Sequence, residues 1–163
     1  MRVTLIRHAE AGDDAPRDEA RALTSRGRAD ARRLGRALAR RGVRFTTIVT
    51  SPLVRAVQTA EIVAAATGYR GRMAATDLLQ PEAPARDVVS FLAKLAAEDE
   101  TSVALVAHEP ILSAVAGLLT GKPRYPALRK AEALRIRFAD GHETPGSLRW
   151  RIDGGTGKRE RLH

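Results

Sequence analysis

The chain has 163 residues, with 28 Lys and Arg against 19 Asp and Glu, for a formal net charge of +9. At 44% hydrophobic it has the length and composition of one ordinary domain with its own core, neither disordered nor fibrous. The absence of cysteine excludes disulfides, Cys-ligated zinc and thiol catalysis.

Val3 to Ile6 reads as a buried strand. Arg7 and His8 break it far short of a signal-peptide core, and no stretch approaches the ~20 apolar residues that span a bilayer. A soluble, cytoplasmic protein without membrane partners is expected. Leu23-Thr24 opens a helix to about Arg41, with Thr24 as N-cap, Gly42 as stop and a buried stripe at Ala31, Leu34 and Leu38. Phe45 to Thr50 is the second strand. Ser51-Pro52 combines an N-cap with a first-turn proline and predicts a helix ending at Gly68. Arg72 to Thr76 is a weak strand. A helix from Pro84-Ala85 carries Val88, Phe91, Leu92 and Leu95 on one side. Val103 to Ala107 is a strand, followed by a helix from about Pro110 to Leu119, ended by Gly121. Ala133–Phe138 and Ser147–Ile152 form two last strands about the polar turn Asp140-Gly141-His142-Glu143.

This alternation predicts a single three-layer α/β/α domain over residues 1–152, with a largely parallel central sheet. Residues 153–163, with their run of glycines, read as a mobile basic tail. The segment Gly154-Gly155-Thr156-Gly157-Lys158 is not a P-loop. Ile152 stands at the first glycine position, Arg159 at the Ser/Thr position, and no helix follows.

In open α/β sheets, ligands bind beyond the carboxyl ends of the strands. Arg7-His8 follows the first strand, Ser51 and Arg55 the second, and His108-Glu109 the Val103 strand. Two of the four histidines and two arginines thus come from three segments to one edge. Guanidinium groups match phosphate oxygens and stay charged, a neutral His can attack phosphorus, and a second His can donate to a phosphoryl oxygen. His142 and His163, in a turn and at the terminus, read as solvated.

Leu5-Ile6-Arg7-His8-Ala9-Glu10, Leu23-Thr24-Ser25-Arg26-Gly27, Ser51-Pro52-Leu53-Val54-Arg55-Ala56-Val57-Gln58-Thr59 and Val106-Ala107-His108-Glu109-Pro110 resemble, in order and spacing, the motifs of the histidine phosphatase superfamily. The short length and lack of insertions resemble its phosphohistidine phosphatase (SixA) branch. The resemblance covers about residues 1–152 and implies a phosphoglycerate mutase-like fold without large cap insertions. It assigns His8 as a nucleophile that becomes phosphorylated, and Arg7, Arg55 and His108 as the phosphate pocket. It implies a phosphatase needing no metal or other cofactor, with inorganic phosphate as product.

The first motif has Ala9 where most of the superfamily has Gly, which a negative φ would accommodate. No motif selects a general acid from Asp18, Asp77 and Glu82. A phosphoramidate expels imidazole, a better leaving group than an alkoxide, so an unspecified acid fits a phosphohistidine protein better than a sugar phosphate. A small-molecule phosphomonoesterase of the same superfamily is the alternative. A basic nucleic-acid-binding module is the third reading, and a nucleic-acid partner is not expected. The six aromatics are too few and scattered for base stacking, and no reading element accompanies the arginines. Residues 17–44 carry +7 and residues 149–163 carry +3, which would steer an acidic phosphoprotein toward the first helix.

Overall fold

A computed structural model describes residues 1–139 and 145–162. The turn at Asp140-Gly141-His142-Glu143 and the terminal His163 therefore lie outside the described residues. Strand β1 (Arg2–Arg7) lies at the centre of a seven-stranded sheet. It pairs in parallel with β4 (Ser102–Ala107), which pairs with β2 (Thr47–Thr50), which pairs with the short β3 (Met73–Ala75). On its other side, β5 (Glu132–Arg137) and β6 (Ser147–Asp153) follow in antiparallel register, and β7 (Arg159–Arg161) closes the edge. The expected parallel arrangement therefore describes four strands, and the remaining three make the sheet mixed.

The period of two along a strand builds both faces. Val3 and Leu5 of β1, with Val103 and Leu105 of β4, meet Val88 and Leu92 of α3 (Ala85–Ala97) and Leu112 and Val115 of α4 (Ile111–Thr120). Ile6, Ala104 and Val106 point the other way, onto Leu34 and Leu38 of α1 (Ser25–Arg40) and Ala60 and Val63 of α2 (Val54–Thr67). Three layers result, and a fully buried leucine such as Leu34 or Leu38 contributes about 2 kcal/mol from its area alone. Among the described residues, no helix is long and apolar enough to cross a membrane.

Two expectations are corrected. The helix expected from Ser51-Pro52 begins at Val54, after an N-cap at Leu53, so the Ser51 side chain is free for a different partner. Part of the tail expected to be mobile forms β7, because Asp153 and Lys158 close a turn and Arg159, Glu160 and Arg161 pair with β6. Short 3-10 turns at Asp18–Ala20 and Asp77–Leu79 also carry no apolar period that would predict them.

The start of α1 is fastened to the loop after β1. Thr24 Oγ1 accepts from Gly27 N at 2.9 Å and donates to Glu10 Oε1 at 2.8 Å, and Thr24 N donates to Glu10 O at 3.0 Å. The helix comes so close that a Cβ on Gly27 would lie 2.1 Å from Glu10 O. Gly27→Ala must therefore push α1 away from this loop, and we expect a loss of about 1–3 kcal/mol in urea unfolding, together with reduced activity.

Candidate active site

The carboxyl ends of the adjacent strands β1, β4 and β2 place Arg7-His8, His108 and Ser51 side by side. The ladder continues past the strands, with His8 N donating to Ala107 O at 3.0 Å and Ser51 N to Val106 O at 2.9 Å. The rings of His8 and His108 lie with centroids 5.0 Å apart, tilted by 56°. His8, His108 and Arg55 are all buried, at 8%, 2% and 5% exposure.

His8 Nδ1 lies 2.6 Å from the carbonyl oxygen of Ala9. A carbonyl can only accept, so Nδ1 carries the hydrogen and Nε2 keeps its lone pair. Ala9 is held in turn, its N–H donating to Thr59 Oγ1 at 3.1 Å while that hydroxyl donates to Arg55 O at 2.7 Å. Ala9 does not adopt a positive φ. Among the described non-glycine residues only Asp99 and Ala131 do, so the methyl group is accommodated.

Helix α2 explains the second motif residue by residue. Arg55 reaches into the site, Thr59 fixes Ala9, and Gln58 Oε1 accepts from Leu23 N at 2.8 Å, tying down the lead into α1. Ser51, displaced from the capping role, lies with its Oγ 2.8 Å from His108 Nε2 and accepts from Leu53 N at 3.3 Å.

Asp18 is brought to the site by its 3-10 turn. Arg55 donates through one guanidinium nitrogen to Asp18 Oδ2 at 3.0 Å and through the other to the Asp18 carbonyl at 2.8 Å. Arg21 donates to Asp18 Oδ1 at 3.0 Å and to the Gly12 carbonyl at 2.7 Å, closing the loop over the pocket. Arg21, and then Arg55, hold the Asp18 carboxyl below its ordinary range. It is therefore ionised at neutral pH and a poor proton donor. Glu82 is exposed and lines a groove of about 470 Å³ with Asp18, Glu19, Pro52 and Leu53. Asp77 is exposed and accepts from the Gln80 side chain at 2.7 Å.

Several contributors carry no sequence signal. Arg7 donates to the Leu128 carbonyl at 2.7 Å, and Leu128 N donates to Glu109 Oε1 at 2.8 Å. Glu109 Oε2 accepts from Ser113 N at 3.2 Å and from Ser113 Oγ at 2.6 Å. One carboxylate thus caps α4 and anchors the segment that positions Arg7. Ala131 N donates to the His8 carbonyl at 3.1 Å, and Lys130 adds to the positive field at His8. Residues 121–131 contain no periodic pattern, and only the adjacency of Glu109 to His108 could have drawn attention to it.

Two buried atoms here, Arg7 Nε and His108 Nδ1, have no hydrogen-bond partner among the described residues. Buried donors are rarely left so, and an oxyanion would satisfy them. Burial lowers His8 to about 4, helped by Arg55 and Arg7 against the opposing bond to Ala9. It lowers His108 to about 3, helped by His8 and Arg55. Both imidazoles are neutral at pH 7.

The linkage has a definite sign. The unfolded chain takes up protons at these histidines below about pH 6.5, while the folded protein does so only near 4 and 3. Their neutrality therefore costs stability as pH falls from about 6.5 toward 4. Between pH 7 and 4.5, His8→Asn should lose roughly 2–3 kcal/mol less stability than the wild type, measured by denaturant unfolding at each pH.

The histidine phosphatase superfamily (branch 1) sequence profile matches residues 3–80. The phosphohistidine phosphatase SixA of Escherichia coli is 30% identical over 112 residues, 69% of this chain and 70% of that protein. An uncharacterized protein of Picosynechococcus is 36% identical over 118 residues, 69% of this chain and 68% of that one. In fold, the structure of the protein histidine phosphatase SixA complexed with tungstate aligns with a TM-score of 0.90 at 24% identity, covering 97% of this chain and 100% of that one. With four motifs in order, this architecture and these relatives, the chain belongs to the SixA type of the histidine phosphatase superfamily.

Proposed function

We propose that this phosphatase hydrolyses phosphohistidine on a cytoplasmic signalling or phosphotransfer protein, through a phosphorylated His8. The observation that carries the reading is the bond from His8 Nδ1 to Ala9 O, which leaves Nε2 as the free lone pair beside His108. In the first step Nε2 attacks phosphorus, the P–N bond to the substrate imidazole breaks, and that imidazole leaves with a proton from solvent. In the second step water attacks phospho-His8, the new P–N bond breaks, and inorganic phosphate departs as Nε2 regains its lone pair.

Arg7 and Arg55 hold the phosphoryl oxygens and spread the charge that develops on them. In this scheme the Ser51 hydroxyl, which also accepts from Leu53 N–H, donates to His108 Nε2 at 2.8 Å. The ring hydrogen of His108 is then on Nδ1, the partnerless atom, and serves in the scheme as a donor to a phosphoryl oxygen. The positive charge is supplied by guanidinium groups, so the scheme needs no metal ion.

Asp18 enters as an ionised brace for Arg55 rather than as the acid. That favours a substrate whose leaving group needs little protonation. Glu82, across the groove, is the observation that supports the second reading, a small phosphomonoester whose alkoxide it would protonate.

A panel of phosphohistidine proteins and unactivated alkyl phosphates separates the two. We expect a preference of at least about 100-fold in kcat/KM for phosphohistidine. Glu82→Gln should leave that activity within about 3-fold, since no proton donor of its kind is required. Comparable turnover of alkyl phosphates, lost in Glu82→Gln, would establish the second reading instead. In either case His8→Ala should lose at least about 10³-fold and trap no phosphoenzyme. A variant retaining full activity would remove the mechanism.

A further inference from the structure

The basic stretches separated in sequence meet at the opposite end of the sheet. Arg2, Arg41, Arg135, Arg137, Arg149 and Arg159, from β1, the end of α1, β5, β6 and β7, line one pocket of about 250 Å³. Its lining contains no carboxylate, and none of the six arginines makes an ion pair with a described residue. Arg2 opens β1 and Arg7 closes it, so about 16 Å of strand separates this pocket from the first.

Arg135 is 6% exposed and has only neutral partners. Its guanidinium donates to Thr4 Oγ1 at 2.8 Å and to Ser102 Oγ at 3.2 Å, and lies over the Trp150 ring at 5.8 Å. Burial, and then Arg2, lower its pKa to about 10. Arg159 is lowered too, by burial and then by Arg161, Arg41 and Arg149. These effects all oppose a positive charge, and the carboxyl end of α1 offers only about half a negative charge against them. A buried cation is ordinarily matched by an anion.

The backbone is shaped to the same end. The β5–β6 register shifts between Arg135 and Ile136, so that Arg135 faces Trp150 and Ile136 faces Leu148, leaving Arg149 as the extra residue. A bulge of this kind re-aims a side chain. It allows the consecutive residues Arg149 and Trp150 both to line the pocket. Strand β7 then brings Arg159 opposite Ile152.

We propose that this pocket is a second anion site, binding a compact polyanion of the di- or triphosphate class. Forked guanidinium donors match oligophosphate oxygens. The volume lies below the range of drug-sized pockets and suits a chain of phosphates better than a folded peptide.

Inorganic triphosphate is the probe, titrated calorimetrically into the full chain carrying Arg55→Ala, so that the pocket around His8 does not compete. We expect binding at one site, weakened at least about 10-fold between 50 and 300 mM salt. Adding Arg149→Gln and Arg159→Gln, both exposed, should weaken it at least about 10-fold again. The same two changes in the wild-type chain should leave phosphatase activity on a small substrate unchanged. Arg135→Met should raise the Tm of the free protein and abolish its rise with triphosphate, because it replaces an uncompensated buried cation. Absence of binding at 1 mM triphosphate in 50 mM salt, or affinity indifferent to the two glutamines, overturns the proposal. Duplex DNA binding more tightly than triphosphate at 150 mM salt also overturns it, in favour of an extended nucleic-acid surface.

Discussion

One hydrogen bond, from His8 Nδ1 to the carbonyl of the next residue, sets the terms for the site. It fixes the tautomer, the ring orientation and the direction of the remaining lone pair. Its short length requires the Ala9 peptide to stay in place, and the surroundings serve that requirement. Thr59 holds the Ala9 N–H, Glu10 is fastened to the start of α1, and β1 is clamped between β4 and β5. Burial then removes the competing option of protonation, so the ring is both oriented and neutral.

A buried neutral pair of histidines between two arginines is costly in the absence of anions, since the guanidinium charges have too few counterparts. Asp18 answers part of this for Arg55 and no described carboxylate does so for Arg7, which turns instead to the Leu128 carbonyl. The molecule thus carries uncompensated positive charge at both ends of its central strand. At one end it is arranged around histidines, at the other around an indole ring and a β-bulge.

The strands and helices with strong apolar periods were legible in the sequence, and with them the edge on which Arg7, His8, Arg55 and His108 gather. Those four residues follow strand ends or open a helix, positions that the alternation of elements marks directly. Ser51 was legible as a residue but not in its use. Its Ser-Pro context signals a cap, and the fold spends the hydroxyl on His108 instead. Asp18 was visible as a loop carboxylate, but its ionised state depends on Arg21 and Arg55 arriving from other elements. The segment from Tyr125 to Ala131 escaped because its bonds to Arg7, His8 and Glu109 run largely through backbone groups, which no side-chain pattern encodes. Strand β7 escaped for a similar reason, as Arg159-Glu160-Arg161 offers no apolar alternation and is held by ladder bonds and the Arg151–Glu160 ion pair at 3.4 Å.

The central place of β1 also governs how the chain can fold as it is made. Strand β1 leaves the ribosome well before its partners, which lie a hundred residues or more downstream, Arg2 opposite Ser102 and opposite Arg137. At ordinary synthesis rates roughly 5–20 s pass before the nearer partner exists. Through that interval Val3, Leu5 and Ile6 lack the strands they pair with in the fold, while α1 and α2 can already form and pair with each other. His8 is therefore synthesised well before His108, Leu128 and Ala131, the later residues that complete its surroundings. Such long-range strand pairing predisposes a chain to slow folding and to aggregation along the way.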